Sequence, residues 1–199
     1  MLGSTGRGDT GRTSIDEALT HCTFASFCRD GMPVFVRPLR ASDRELEKDF
    51  FASLSESTRR FRMLAPLRYL SPQLLDQLME IDDDRRMALV ATARRQDGSE
   101  YIVGVARYAM TDRPGAAEIG VTVTDTWQNR GIATLLMEAL IQFARKRGIR
   151  SLIGLVLPDN ARMLRLARRM GFSVRLEHGE QLFLIEKALT VQGGDRNSA

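Results

Sequence analysis

The stretch that most constrains this chain runs from residue 117 to residue 157. Ala117-Glu118-Ile119-Gly120-Val121-Thr122-Val123 alternates in the manner of a strand. It breaks into the basic, glycine-containing segment Gln128-Asn129-Arg130-Gly131-Ile132-Ala133. A helical pattern follows over about residues 131–147: Ile132, Leu136, Ala139, Leu140 and Phe143 recur on one face, with Glu138, Gln142, Arg145 and Lys146 elsewhere. Gly148 stands where a helix C-cap glycine is expected. Leu152-Ile153-Gly154-Leu155-Val156-Leu157 then reads as a short strand buried on both faces, as inside a parallel pair. Strand, helix and strand in this order predict a βαβ unit with a right-handed crossover.

The turn between strand and helix is the chemically pointed part. Free backbone N–H groups and the helix dipole both favour an anion there. Gly131 and Ala133 leave room for a phosphate to approach the backbone, and Gln128 and Arg130 add donors. The spacing is neither G-x-x-x-x-G-K-[ST] nor G-x-G-x-x-G. Tight helix packing alone also accounts for a Gly and an Ala at this point. The predicted site lies at the carboxyl end of a strand, where α/β sheets bind ligands.

A second block follows at once, Pro158-Asp159-Asn160-Ala161-Arg162-Met163-Leu164-Arg165-Leu166-Ala167-Arg168-Arg169-Met170-Gly171-Phe172. Asp159 or Asn160 caps a helix. Met163, Leu166, Ala167 and Met170 form its apolar face, and Arg162, Arg165 and Arg169 its solvated one. With these two blocks in order and about thirty residues apart, the chain resembles the GCN5-related N-acetyltransferase (GNAT) superfamily. That family carries [QR]-x-x-G-x-[GA] at the pyrophosphate of acetyl-CoA and an Asn-initiated helix ending in Gly-Phe. Val36 to Asp43 is similar to the family's first strand and its turn into the first helix. Residues 50–55, 67–71 and 86–91 resemble, more particularly, the acetyltransferase domain at the C-terminus of bacterial protein lysine acetyltransferases. The resemblance covers about residues 33–189.

It implies an α/β (α+β) fold, a central mixed, twisted sheet of six to seven strands flanked by about four helices. It implies an enzyme that moves an acetyl group from acetyl-CoA, as cosubstrate, to an amine, with no metal. The cofactor contacts carry over onto Val121 and Val123, whose backbone would pair with the pantetheine arm. Gln128, Asn129, Arg130, Gly131, Ile132 and Ala133 would hold the pyrophosphate, with Thr134 as a further donor and Asn160 near the splayed strands. A lysine ammonium has a reference pKa of about 10.4, so the site must accept a proton. Glu118 begins the strand that leads to the turn, on the face of Gly120 and Thr122, and is the candidate general base. The alternative for Glu118 is a cross-strand partner of Arg107. Many family members place a tyrosine, as general acid, where this chain has Ala167; a thiolate, with a reference pKa of about 8.5, can leave without full protonation, and water or a tyrosine elsewhere such as Tyr108 are the candidate substitutes.

The remainder of the chain sets bounds. At 199 residues it reads as one domain, residues 31–190, between a flexible N-terminal leader (1–30), rich in Gly, Ser and Thr, and a flexible tail (191–199). A short helix at residues 15–19 is possible. Charged residues make up 27% and no apolar run is long enough for a signal peptide or a membrane span, which points to the cytoplasm and away from membranes. A net charge of +4 spread without interleaved aromatics argues against nucleic acid. Cys22 and Cys28, with only His21 near, fit no zinc spacing and read as reduced thiols. Asp82-Asp83-Asp84 reads as a solvated turn.

Further elements are expected as strands at 34–38, 87–93, 101–110, 172–176 and 181–186, the last two joined through His178-Gly179. Helices are expected at 43–53, capped by Ser42 or Asp43, at 57–62, and from Pro72 to about residue 81. Gln96-Asp97-Gly98-Ser99 supplies a hairpin turn. The resemblance implies an acceptor wall in the helical segment 43–81, where Arg59, Arg60, Arg62 and Arg68 would repel a free polyamine and dock an acidic patch around a protein lysine; a solvated helix face is the alternative for the same arginines. Three readings therefore stand: a protein lysine acetyltransferase, monomer or homodimer; a small-amine acetyltransferase on the same fold; and a non-catalytic acyl-CoA-binding regulatory module.

Overall fold

The computed structural model describes residues 23–67, 69–82, 85–177 and 181–190. The strands are β1 (Phe24–Phe27), β2 (Pro33–Pro38), β3 (Arg86–Arg94), β4 (Glu100–Met110), β5 (Ala116–Val123), β6 (Ser151–Val156), β7 (Ser173–Leu176) and β8 (Phe183–Ala188). They form one sheet in the order β1-β2-β3-β4-β5-β6-β8-β7. Among the described residues only β5 and β6 pair in parallel; every other ladder is antiparallel. The helices are α1 (Arg44–Ser53), α2 (Glu56–Met63), α3 (Pro72–Met79), α4 (Ile132–Lys146) and α5 (Ala161–Arg169).

Helices cover both faces of the sheet, so β3 is buried almost continuously from Met87 to Ala93. On one face α4 lays Leu136, Met137, Leu140 and Phe143 over β3, β4 and β5. Gly104 makes this packing close, because a Cβ there would stand 3.0 Å from Ile132 and 3.1 Å from Leu136. On the other face Phe50, Phe51 and Leu54 of the α1 segment pack on Ala88, Val90, Ile102 and Val105. A fully buried Leu or Phe contributes roughly 1.5–3 kcal/mol, so these two layers hold the sheet that positions the site. No helix among the described residues is long and apolar enough to cross a membrane.

Several boundaries match the periodicity. Ser55 and Ser71 cap α2 and α3 by accepting from the Thr58 and Leu74 N–H groups, with Pro72 in the first turn of α3. α3 stops at Met79, short of residue 81. The hairpin turn falls at Gly98, with φ +83°.

Three differences are instructive. Strand β1 makes the sheet eight-stranded, and it lies inside the segment that composition assigned to the leader. Asp43 precedes α1 but does not cap it with its side chain. Its carboxylate accepts instead from the Arg37 guanidinium at 2.6 and 2.9 Å and from the Arg40 N–H at 2.8 Å. Strand β6 is not buried on both faces. It alternates, and Leu155 is exposed, because the strand parts from β5 after three paired residues. The possible helix at 15–19, His21, Cys22, Arg68, Asp83, Asp84, His178-Gly179 and the tail lie outside the described residues. Asp82 Oδ1 accepts from the Arg85 and Arg86 N–H groups.

Candidate active site

The site follows from one topological event. β5 and β6 pair in parallel only over Ala116–Glu118 and Ser151–Ile153. Beyond that, β5 stays with β4, as far as Val123, while β6 follows β8. The strands splay, and residues 119–123 lose their ladder on the β6 side. The opening is a cleft of about 1010 Å³. Glu118, Val121, Val123, Gln128, Asn129, Gly131, Ile132, Ala133, Thr134 and Asn160 all line it.

At the far end of β5 the chain makes a short 3-10 turn, Asp125–Trp127, and enters α4. Asn129 (φ +64°) and Gly131 (φ +94°) are both left-handed, which bends consecutive N–H groups toward one side. The first intrahelical bond runs from the Leu135 N–H to the Gly131 carbonyl. The N–H groups of Ile132, Ala133 and Thr134 therefore precede the ladder and have no intrahelical acceptor. A negative group at this point meets those donors and the positive end of a fifteen-residue helix. The free strand edge and this turn, in one elongated cleft, suit a cosubstrate with an amide-bearing arm and a diphosphate.

Two expected donors are otherwise engaged. Gln128 Nε2 donates to the Val123 carbonyl (3.1 Å) and to Thr58 Oγ1 (3.3 Å), and its Oε1 accepts from Arg162. Arg130 does not line the cleft. It pairs with Asp30 at 2.8 Å and sits 5.0 Å from the Trp127 ring centroid. Asn160 Oδ1 caps α5 through the Met163 N–H at 3.1 Å. The turn is braced by Asp125, whose carboxylate accepts from the Ser55 N–H, Ser55 Oγ and Thr58 Oγ1. Partial burial pushes its carboxyl up, but the bonds from Ser55 and Thr58 outweigh that and hold it below the usual range.

Glu118 occupies the other end of the cleft and is exposed. It also lines a second cavity of about 240 Å³, together with Gln77, Glu80, Arg107 and Tyr108. Glu118, Arg62, Ile119 and Gly120 belong to both cavities. Arg107 is not its partner. Arg107 donates to Glu47 at 2.6 Å and to the Leu78 carbonyl at 2.7 Å. Glu47 is buried, and that burial raises its pKa against the pull of Arg107 and Arg62.

Arg62, not singled out as special in the sequence, lies flat over Gly120, where a Cβ would stand 3.1 Å from its Nη1. Burial, then the neighbouring Arg107, lower its pKa to about 10, against Glu47 and Glu118. It remains a cation at neutral pH, packed between the two cavities. Three arginines of the expected wall are among the described residues, and each is engaged within the chain. Arg60 bridges to Asp159 at 2.6 Å, Arg59 lies 6.0 Å from the Phe51 ring centroid, and Arg62 faces inward.

Ala167 is buried in the core. Among the described residues no tyrosine lines the cleft; Tyr108 lines the smaller cavity. Cys28 is a free, buried thiol, its pKa raised by burial and then by Asp30.

Comparison with known proteins agrees with this geometry. Residues 48–172 match the family described as Acetyltransferase (GNAT) family. The chain is 42% identical over 143 residues to Acetyltransferase PA5475 of Pseudomonas aeruginosa, covering 72% of this chain and 76% of that protein. It is 29% identical over 144 residues to Acetyltransferase Pat of Mycolicibacterium smegmatis; this match spans 72% of the chain but only 42% of that relative. In three dimensions it resembles the GNAT domain of S. lividans PAT, with a TM-score of 0.77, 27% identity, and coverage of 85% of this chain and 98% of that one. By its sequence match, its splayed β5–β6 pair and its α4 turn, the chain belongs to the GNAT family of acetyltransferases.

Proposed function

We propose that this enzyme transfers an acetyl group from acetyl-CoA to a protein lysine by direct attack, with Glu118 as general base. One observation carries the reading: Glu118 stands on the wall shared by the cleft and the smaller cavity. In this arrangement the cosubstrate lies along residues 121–123 with its diphosphate on the turn at 128–134. The amine enters from the smaller cavity. Its lone pair attacks the thioester carbonyl, forming the C–N bond. The C–S bond breaks, and its electron pair leaves on sulfur. Glu118 takes the amine proton and, being exposed, returns it to solvent. A thiol has a reference pKa of about 8.5, so the thiolate can leave without a phenol at the position of Ala167. Water then protonates it. The cytoplasm, where acetyl-CoA and reduced thiols coexist, is the compartment this chemistry suits.

The lysine assignment draws on the resemblance of residues 50–55, 67–71 and 86–91 to bacterial protein lysine acetyltransferases, and the likeness to the S. lividans PAT domain covers 98% of that chain. With Arg60 and Arg62 engaged internally, electrostatic docking of an acidic surface is not part of it. Acetylation of a folded protein substrate is expected to be much faster than that of its excised lysine peptide or of spermidine, followed by CoA release and mass spectrometry. Efficient turnover of spermidine or a free amino acid would transfer the proposal to the small-amine class. Binding of acetyl-CoA without transfer to any amine would leave the regulatory-module reading.

A further inference from the structure

The β1–β2 hairpin reaches the anion turn, and it lies outside the segment matched by the family, which begins at residue 48. Its tip is docked there by two bonds. The Arg29 N–H donates to the Arg130 carbonyl at 3.0 Å, and Asp30 pairs with the Arg130 guanidinium at 2.8 Å. Asp30 thus turns the loop's own arginine away from the cleft and onto Trp127. The docking brings in another arginine. Arg29 lines the cleft, and a Cβ built on Gly131 would stand 3.6 Å from its Cγ and 3.8 Å from its Nε. Its side chain is exposed, and among the described residues its guanidinium has no hydrogen-bond or ion-pair partner. A guanidinium is a forked donor suited to phosphate oxygens. Here it is anchored through its own backbone, one van der Waals contact from the glycine at the helix N-terminus.

We infer that Arg29 is a cosubstrate-binding residue that contacts a phosphate oxygen of the ADP half of acetyl-CoA, so that the N-terminal hairpin forms one wall of the nucleotide end of the site. The inference rests on reading the turn as the cosubstrate's anion site. The phosphate is either the diphosphate at the turn or the 3′-phosphate of the ribose, and both present the same chemistry to a guanidinium.

The test measures binding of acetyl-CoA, acetyl-dephospho-CoA and acetyl-pantetheine to the wild-type chain, Arg29→Ala and Arg29→Lys. Arg29→Ala is expected to weaken acetyl-CoA about tenfold, the usual effect of a charge-assisted bond, with an unchanged melting temperature because the side chain is exposed. Arg29→Lys should lose less. Binding of acetyl-pantetheine, which has no phosphate, should not distinguish the three proteins. A loss with acetyl-CoA that disappears for acetyl-dephospho-CoA assigns the 3′-phosphate; an equal loss for both assigns the diphosphate. Equal acetyl-CoA affinity in wild type and Arg29→Ala overturns the inference and leaves the cosubstrate site standing, as does an equal loss with acetyl-pantetheine. A wild-type chain that binds none of the three overturns the site itself.

Discussion

Glu118→Gln is expected to lower kcat by roughly 10²–10⁴, the usual range for loss of a general base. The amide keeps the side chain's volume at the wall between the cavities and removes its basicity. Acetyl-CoA affinity should stay nearly constant, because the residue sits at the end of the cleft away from the anion turn. The deficit should shrink as pH rises toward the lysine reference value of about 10.4, where more of the acceptor is already neutral. Arg62 cannot take over this role, since its guanidinium stays protonated through neutral pH. Turnover at the wild-type rate in a folded Glu118→Gln variant would reduce Glu118 to a structural residue.

The second large effect is on stability. Arg37 is buried and holds the Asp43 carboxylate through both terminal nitrogens, with Glu100 on its other side at 3.0 Å. Thr92 adds a 2.6 Å bond to Glu100. The cluster ties β2 to the start of α1 and to the β3–β4 hairpin. Arg37→Met leaves Asp43 as a buried, uncompensated carboxylate and is expected to cost about 3–5 kcal/mol by urea unfolding. Arg37→Met with Asp43→Leu should recover much of that, since a buried pair exchanged for apolar groups is often neutral.

The acid limb follows from the same geometry. The Arg37 bond holds the Glu100 carboxyl below its usual range, against partial burial. A carboxylate depressed on folding stabilises above its unfolded pKa, about 4.3 for Glu, and that part is lost as pH falls through the folded value. Arg37→Met should therefore show a shallower loss of stability below about pH 4.3 than the wild-type chain. Equal stability of the two proteins at neutral pH would show that the cluster is dispensable.

The strand–turn–helix at 117–147 was legible because a period of two gives way to a period of 3.6 at a single glycine. The position of the turn was legible for the same reason; that Gly131 adopts φ +94° within it was not. Strand β1 was missed although its signal was present. Asp30-Gly31 between Phe24, Ser26 and Val34, Val36 is a hairpin turn flanked by alternation, and Gly31 has φ +81°. The Gly- and Thr-rich stretch before it masked the pattern. Asp43 looked like a cap because residue type and position fit one. That Arg37 would be buried six residues upstream, facing it, is tertiary information.

The arginines of α2 show the same limit. Nothing in Arg59-Arg60-Phe61-Arg62 says that Arg62 turns in over Gly120 while Arg60 crosses to Asp159. Strand period did place Glu118 on one face with Gly120, but its position on a wall common to two cavities depends on where β6 leaves β5.

The most direct measurement is calorimetric titration of acetyl-CoA into the wild-type chain and into Gly131→Leu. The left-handed backbone at residue 131 costs a non-glycine roughly 1–2 kcal/mol, and a Cβ there meets only Arg29, at an ordinary 3.6 Å. The variant should therefore fold, which circular dichroism verifies. Its side chain should hold a phosphate off the backbone donors and weaken binding tenfold or more, about 1.4 kcal/mol. Unchanged affinity in a folded Gly131→Leu, or no binding to the wild-type chain, would contradict the placement of acetyl-CoA in this cleft.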